Sequence, residues 1–129
     1  MSNGKTILLI EDNEQNRYLA TYLLEHAGFK IVSADSGSKA LAVVDDLTPD
    51  TILLDIQLPG MDGYEVAREL RTRESLKRIP IIAVTSYAMV GDEEKALQAG
   101  CTGYLEKPID PDTFVSQITR LMTMGGRDV

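Results

Sequence analysis

The sequence has very little cysteine, histidine or tryptophan. Its 129 residues include one cysteine, one histidine and no tryptophan. The single Cys101 excludes an intramolecular disulfide and any zinc site built on several cysteines. The single His26 likewise excludes histidine-based triads and metal sites that need several histidines. One free thiol is typical of a reducing cytoplasm, so we expect a cytoplasmic protein whose chemistry uses carboxylates, hydroxyls and lysine.

Positive charge and long apolar runs are also scarce. Lys and Arg number 13 against 20 Asp and Glu, which gives a net charge of −7. This balance argues against binding to nucleic acid and against docking on an anionic membrane. No apolar run approaches the ~20 residues of a membrane-spanning helix. The length favours a single domain over residues 1–129, with a core over 5–122 and a short C-terminal tail over 123–129.

Five short apolar runs alternate with segments of helical periodicity. The runs cover residues 7–10, 31–32, 52–54, 81–84 and 103–105. The first, third and fourth are continuously apolar, which is typical of strands buried on both faces of a parallel sheet. Gly28, Gly100 and an N-capping Asp62 are expected at helix ends. The pattern predicts an α/β fold of the flavodoxin-like type, a doubly wound parallel sheet of five strands in the order 2-1-3-4-5 with five helices.

Polar residues stand where four of these strands end. Glu11 and Asp12 follow the first strand, Asp55 the third and Lys107 the fifth, while Thr85 closes the fourth. Each residue alone has a simpler explanation, as a helix cap, a strand residue or a solvated lysine. Because the carboxyl ends of parallel strands share one edge, we expect all five side chains to lie together. Three gathered acids repel one another unless a cation offsets their charge.

Such a cluster suits magnesium-dependent phosphoryl chemistry. Asp12 and Asp55 are suitable ligands for Mg²⁺, with Glu11 holding one of its waters. A carboxylate beside the ion can attack a phosphoryl group and become an acyl phosphate. Lys107 and the Thr85 hydroxyl would hold the remaining phosphoryl oxygens. No histidine is required for this chemistry.

Four segments resemble the receiver domains of two-component response regulators, which have the CheY-like fold. They read ILLIEDN, ILLDIQLPGMDGYE, IPIIAVTSYAM and GYLEKPID, and the similarity covers about residues 5–122. The stretch TSYAMVGDEEKALQAGCTGYLEKPID looks most like the DivK type of single-domain regulators. The resemblance implies a phosphorylation switch rather than a turnover enzyme. Its partners would be a sensor histidine kinase or histidine phosphotransfer protein, and an effector protein at the face of the fourth helix, fifth strand and fifth helix.

The resemblance also assigns roles around the metal. Asp55 would be the phosphoacceptor, and Glu11 and Asp12 the acidic pair at the Mg²⁺. The backbone carbonyl of Gln57 would complete the protein ligands. Lys107 would pair with the phosphoryl oxygens. The only reactions expected are self-phosphorylation from a phosphodonor and autodephosphorylation.

Further positions would transmit or tune the switch. Thr85 would move toward the phosphoryl group, and Tyr104, the switch aromatic, would turn inward with it. The alternative for Tyr104 is an ordinary strand aromatic. The peptide bond before Pro108 would be cis. The side chains of Gln57 and Tyr87 would flank the path of water to the acyl phosphate, so that a bulky Tyr87 would lengthen its lifetime.

Two alternatives from other functional classes remain open at this point. One is a small phosphatase or phosphotransferase with Asp55 as nucleophile. Many such enzymes carry a second Asp two residues after the nucleophile as a general acid, and Gln57 occupies that position here. The other is a pseudo-receiver, an interaction module that is never phosphorylated.

Overall fold

Five strands and five α-helices alternate along the described part of the chain. A computed structural model describes residues 4–58, 60–86 and 90–125. The strands are β1 (Thr6–Ile10), β2 (Lys30–Ala34), β3 (Thr51–Asp55), β4 (Ile81–Thr85) and β5 (Gly103–Glu106). The helices are α1 (Glu14–His26), α2 (Gly37–Asp46), α3 (Gly63–Arg71), α4 (Asp92–Gln98) and α5 (Phe114–Gly125), with a 3₁₀-helix at Glu74–Leu76. None of the helices within these ranges is both long and apolar enough to cross a bilayer.

The strands form one parallel sheet in the order β2-β1-β3-β4-β5. This confirms the predicted flavodoxin-like, doubly wound fold. Every residue of β3 and β4 is buried, whereas β2 at one edge is partly exposed. The continuous apolar runs therefore mark the interior strands, because helices cover both of their faces.

Successive residues of a strand face opposite sides of the sheet, and this alternation produces two cores. Ile7 and Leu9 of β1 pack with α1 and α5 on one side. Leu8 and Ile10 pack with α2, α3 and α4 on the other side. The two layers hold the carboxyl ends of β1, β3, β4 and β5 at one rim of the sheet.

Helix ends agree with the predicted signals. Gly28 and Gly100 have the positive φ angles of 99° and 107° that follow helices, and the Asp62 side chain accepts from the Tyr64 N–H at the start of α3. Helix α5 reaches Gly125 and so includes the first residues of the segment 123–129. The Thr123 hydroxyl donates to the carbonyl of residue 119 within this helix. Gly125 is the first strong helix breaker in this stretch.

Glycine at position 63 lets α3 approach the end of β3. The Gly63 N–H donates to the Ile56 carbonyl at 3.1 Å. A Cβ atom at position 63 would lie 2.4 Å from the Ile56 Cα, a distance that no side chain tolerates. Because backbone blocks this space, only glycine allows the helix to begin here. The close approach fixes the loop that follows Asp55.

We predict that Gly63→Ala destabilises the fold by about 1–3 kcal/mol, the usual cost of overpacking against atoms that cannot move. Urea denaturation of the variant and the parent measures the difference in unfolding free energy. Gly103→Ala is the matched control, since its Cβ would first meet the flexible Leu121 side chain at 3.3 Å. A loss in Gly63→Ala no larger than that in Gly103→Ala would show that α3 shifts easily enough to accommodate the added Cβ atom.

Candidate functional site

Three carboxylates converge at the carboxyl edge of the sheet. Glu11 follows β1 and Asp55 ends β3, and both are buried, with 4% and 3% of their surface exposed. Asp12 is exposed. One carboxylate oxygen from each of the three lies within 4.8 Å of the others. The strand order therefore brings together the acids that the sequence placed at strand ends.

Lys107 bridges the two buried carboxylates. Its Nζ lies 2.9 Å from Glu11 Oε1 and 3.2 Å from Asp55 Oδ2, and its side chain is 10% exposed. These are charge-assisted hydrogen bonds, which are stronger than neutral ones. The ammonium group that follows β5 thus reaches across the end of β4 to β1 and β3.

The charges of the cluster shift the ionisation of its members. Burial raises the pKa of Glu11 and the neighbouring Asp55 raises it further, against the opposing hydrogen bond from Lys107. Burial alone would lower the pKa of Lys107, but its hydrogen bond to Glu11 and the charge of Asp55 outweigh burial and raise it. Negative charge remains in excess among the described residues, because three acids there face one ammonium group. A divalent cation would offset that excess.

Backbone N–H groups complete the hydrogen bonding of the buried carboxylates. The Gln57 N–H donates to Asp55 Oδ1 at 3.0 Å, and the Asn13 N–H donates to Glu11 Oε2 at 3.1 Å. With Lys107 on the other two oxygens, all four oxygens of Glu11 and Asp55 have a donor. This accounts for two carboxylates being tolerated in a nearly buried position.

Arg17 holds the acidic loop, a role that the sequence analysis missed. Its Nη1 donates to the carbonyls of Glu11 and Asp12, at 2.9 and 3.4 Å. Asn13 caps α1 by accepting from the Asn16 N–H. The only signal in the sequence is an arginine one turn after this cap, where a long side chain can reach back over the loop.

Thr85 and Gln57 lie beside the acids. Thr85 ends β4 and is 4% exposed. Gln57 stands two residues beyond Asp55, and its side-chain Oε1 accepts from the Ser86 N–H at 3.0 Å. No pattern in the sequence predicts this bond, which connects the loop after β3 to the segment after β4.

Comparison with known proteins identifies the family. A family model of the response regulator receiver domain matches residues 7–119. The chain belongs to this family. It is 44% identical over 114 residues to the polar-differentiation response regulator DivK of Brucella ovis, a match that covers 88% of this chain and 93% of that protein.

Solved structures of other receiver domains share the fold. The receiver domain of a sensor histidine kinase from Pseudomonas aeruginosa, with a magnesium ion coordinated in its active site cleft, superposes with a TM-score of 0.84 at 37% identity. That match covers 93% of this chain and 98% of the other. The chemotaxis response regulator CheY4 of Vibrio cholerae superposes with a TM-score of 0.86 at 27% identity, covering 91% and 98%.

Tyr104 of this receiver domain has a buried hydroxyl. The residue lies in β5, and its ring packs against the core on the α2, α3 and α4 side. Its Oη is buried and has no hydrogen-bond partner among the described residues. Burial raises the pKa of Tyr104, and the nearby acid Asp92 raises it further. The bond between Lys107 and Pro108 is cis.

Two other residues, His26 and Cys101, lie apart from the acidic cluster. His26 lies in the last turn of α1, at the opposite end of that helix from the site, with its ring centroid 4.4 Å from that of Tyr22. Cys101 is buried, and burial raises the pKa of its thiol to about 11. Tyr87, predicted to screen the acyl phosphate, lies outside the described residues.

We predict that Lys107→Met lowers the unfolding free energy by about 3 kcal/mol at pH 7, because it leaves two buried carboxylates without their cation. The pKa of Lys107 is raised above its ordinary value of 10.5. Its stabilisation is therefore complete at pH 7 and is lost only as pH rises through the raised pKa. Urea denaturation at pH 7 measures the effect.

Lys39→Met is the control for this measurement. Lys39 pairs with Asp35 at 3.1 Å, but its side chain is 67% exposed. An exposed pair of this kind contributes little to stability, so no measurable change is expected. Equal effects at positions 39 and 107 would contradict the view that Lys107 compensates buried charge.

We predict that Tyr104→Phe raises the unfolding free energy by about 1 kcal/mol, since it removes a buried hydroxyl that has no partner within residues 4–58, 60–86 and 90–125. Thermal and urea denaturation compare this variant with Tyr64→Phe. Tyr64 donates through its hydroxyl to the Asp92 carbonyl at 3.5 Å, so the control variant should gain nothing. A loss of stability in Tyr104→Phe would show that its hydroxyl does have a partner.

Proposed function

We propose that Asp55 accepts a phosphoryl group from a phosphohistidine of a partner protein. The observation that supports this most is the convergence of Glu11, Asp12 and Asp55 with Lys107 Nζ bound to two of them. The Asp55 carboxylate is already oriented by the Gln57 N–H and by Lys107. A preformed anion beside a fixed cation is the arrangement that phosphoryl transfer requires.

A magnesium ion fits the residues present. Asp12 and Asp55 would bind it directly, Glu11 would hold one of its waters, and the Gln57 carbonyl would be a further ligand. The three carboxylate oxygens within 4.8 Å of one another support this assignment, because one lysine leaves their charge in excess. When bound, the ion supplies positive charge that stabilises the phosphoryl oxygens during transfer.

The transfer step follows from the geometry of the acids. A carboxylate oxygen of Asp55 forms a bond to phosphorus while the bond from phosphorus to the histidine nitrogen breaks, and the electron pair leaves with the imidazole. The carboxylate is ionised beforehand, so no general base is needed. Lys107 then turns from the carboxylate to a phosphoryl oxygen and keeps the local charge balanced. Attack by water on the phosphorus atom breaks its bond to the Asp55 oxygen, releases inorganic phosphate and restores the carboxylate.

Thr85 and Tyr104 would connect this event to the surface. A phosphoryl group favours the active conformer only through contacts that it makes better there, and the Thr85 hydroxyl would provide one. The hydroxyl of Tyr104 is buried and has no partner in the described part of the chain, which supports a role for this ring as the second moving part. A buried hydroxyl without a hydrogen bond carries a desolvation penalty, so less free energy is needed to move it than to move a hydrogen-bonded one.

The output surface would be the face of α4, β5 and α5, where an effector protein would bind in the cytoplasm. β5 is an edge strand of the sheet. Near it, Val90 is fully exposed and Leu97 of α4 is 54% exposed. Exposed apolar side chains beside a switch strand favour contact with another protein.

The enzyme alternative is not favoured by the residue at position 57. A phosphatase of this kind needs a carboxylic acid there to donate a proton. Gln57 carries a neutral carboxamide, and its oxygen accepts from the Ser86 N–H. It has no acidic proton to give.

We predict that the parent gains one phosphoryl group from acetyl phosphate only when Mg²⁺ is present. Intact mass spectrometry after incubation with and without the ion measures the gain. Asp55→Asn should show none, because the nucleophilic oxygen is lost.

Asp62→Asn is the matched control for the phosphorylation experiment. Asp62 caps α3 in the same loop, and Asn caps helices equally well, so the fold and the reaction should persist. A folded parent that gains nothing from acetyl phosphate or from a phosphorylated histidine phosphotransfer protein would favour the pseudo-receiver. Equal gain in Asp55→Asn would place the acceptor elsewhere.

A further inference from the structure

The hydrogen-bond ladder between β3 and β4 ends on a side chain. The Ile56 N–H donates to the Val84 carbonyl at 3.0 Å, and beyond this point the regular ladder between the two strands is not continued. In a parallel ladder the next bond would run from the Ser86 N–H to the Ile56 carbonyl. That carbonyl instead accepts from Gly63, and Ser86 donates to Gln57 Oε1 at 3.0 Å.

Both polar atoms of the Thr85–Ser86 peptide group are therefore bound to other segments. The Thr85 carbonyl accepts from the Lys107 N–H at 2.7 Å, and the Ser86 N–H is held by Gln57. The first bond involves backbone only. The second depends on the identity of residue 57, which is also tied to Asp55 through its own N–H.

We propose that the Gln57 carboxamide is a latch on Ser86 that holds Thr85 in the resting conformation and so opposes phosphorylation. This inference rests on the proposed function of Asp55. The Ser86 N–H can donate strongly to only one acceptor at a time. The Gln57 oxygen that now accepts from it is exposed and belongs to a flexible side chain, so a stronger acceptor at Asp55 would compete for this N–H.

The chemistry of the acceptors supports the direction of the effect. In the resting state the Ser86 N–H donates to a neutral amide oxygen. A phosphoryl group on Asp55 would introduce anionic oxygens two residues before Gln57, and charged acceptors bind N–H groups more strongly than neutral ones. The Gln57 oxygen and the phosphoryl oxygens would therefore compete for one donor, the Ser86 N–H. Gln57 acts through Ser86 and is a positioning residue.

The effect should have the size of one exposed, neutral hydrogen bond. Such bonds contribute weakly because water competes for both partners. Loss of the latch should therefore favour the phosphorylated conformer by about two- to fivefold. The fold and the metal ligands should be unaffected, since the Gln57 carbonyl belongs to the backbone.

The test uses beryllofluoride, which forms a tetrahedral, phosphoryl-like adduct on a carboxylate and is not hydrolysed as an acyl phosphate is. Gln57→Met keeps the length of the side chain and removes the acceptor. Ser86→Ala keeps the N–H and removes only the hydroxyl, so it is the matched control. NMR titration with beryllofluoride at saturating Mg²⁺ gives the affinity of each protein. Hydrogen exchange at the residue 86 amide reports the bond itself.

The expected result is a two- to fivefold tighter affinity in Gln57→Met with faster exchange at residue 86, and parent values in Ser86→Ala. Unchanged or weaker affinity, or unchanged exchange, would overturn the latch while the parent still binds the adduct and is phosphorylated. A parent that neither binds beryllofluoride nor gains a phosphoryl group would overturn the proposed function, and the latch with it. The behaviour of the parent thus separates the two failures.

Discussion

Two carboxylates buried side by side need a cation, and the organisation of the site depends on how Lys107 provides it. Lys107 and Asp55 are 52 residues apart in sequence and their side chains are 3.2 Å apart in the fold. β4 lies between the strands that carry them, so the pairing exists only when β3, β4 and β5 are in register. The charge balance of the site is therefore a property of the assembled sheet. A partly assembled sheet would leave the carboxylates either solvated or uncompensated, and burial without compensation is costly.

Much of the fold could be predicted because burial on both faces leaves a simple mark in the sequence. Interior strands of a parallel sheet need apolar residues at every position, and β1, β3 and β4 show this in continuous runs. The N-cap of α3, Asp62, could also be predicted from the sequence. The 3₁₀-helix at Glu74–Leu76 was not predicted, since three residues carry no periodicity.

The candidate site likewise has features that the sequence predicts and features that it does not. The positions of Glu11, Asp55, Thr85 and Lys107 followed from strand order, because parallel strands bring their carboxyl ends to one edge. The bonds from Arg17 to the backbone carbonyls of the acidic loop did not follow. They depend on loop conformation and side-chain reach, which strand and helix periods do not encode. For the same reason, the sequence could not predict that the Tyr104 hydroxyl is buried without a partner among the residues that the structure describes.

Glycine at position 63 has a consequence for how receiver domains of this kind can diverge. Its N–H donates to the Ile56 carbonyl. The Ser86 N–H, which would otherwise donate to that carbonyl, donates to the Gln57 side chain instead. A backbone bond is the same whatever the sequence, whereas a side-chain bond can be altered by a single codon. The strength of this connection between β3 and β4 therefore depends on which residue stands at position 57. A substitution there would change the connection and leave the scaffold and the acidic cluster as they are.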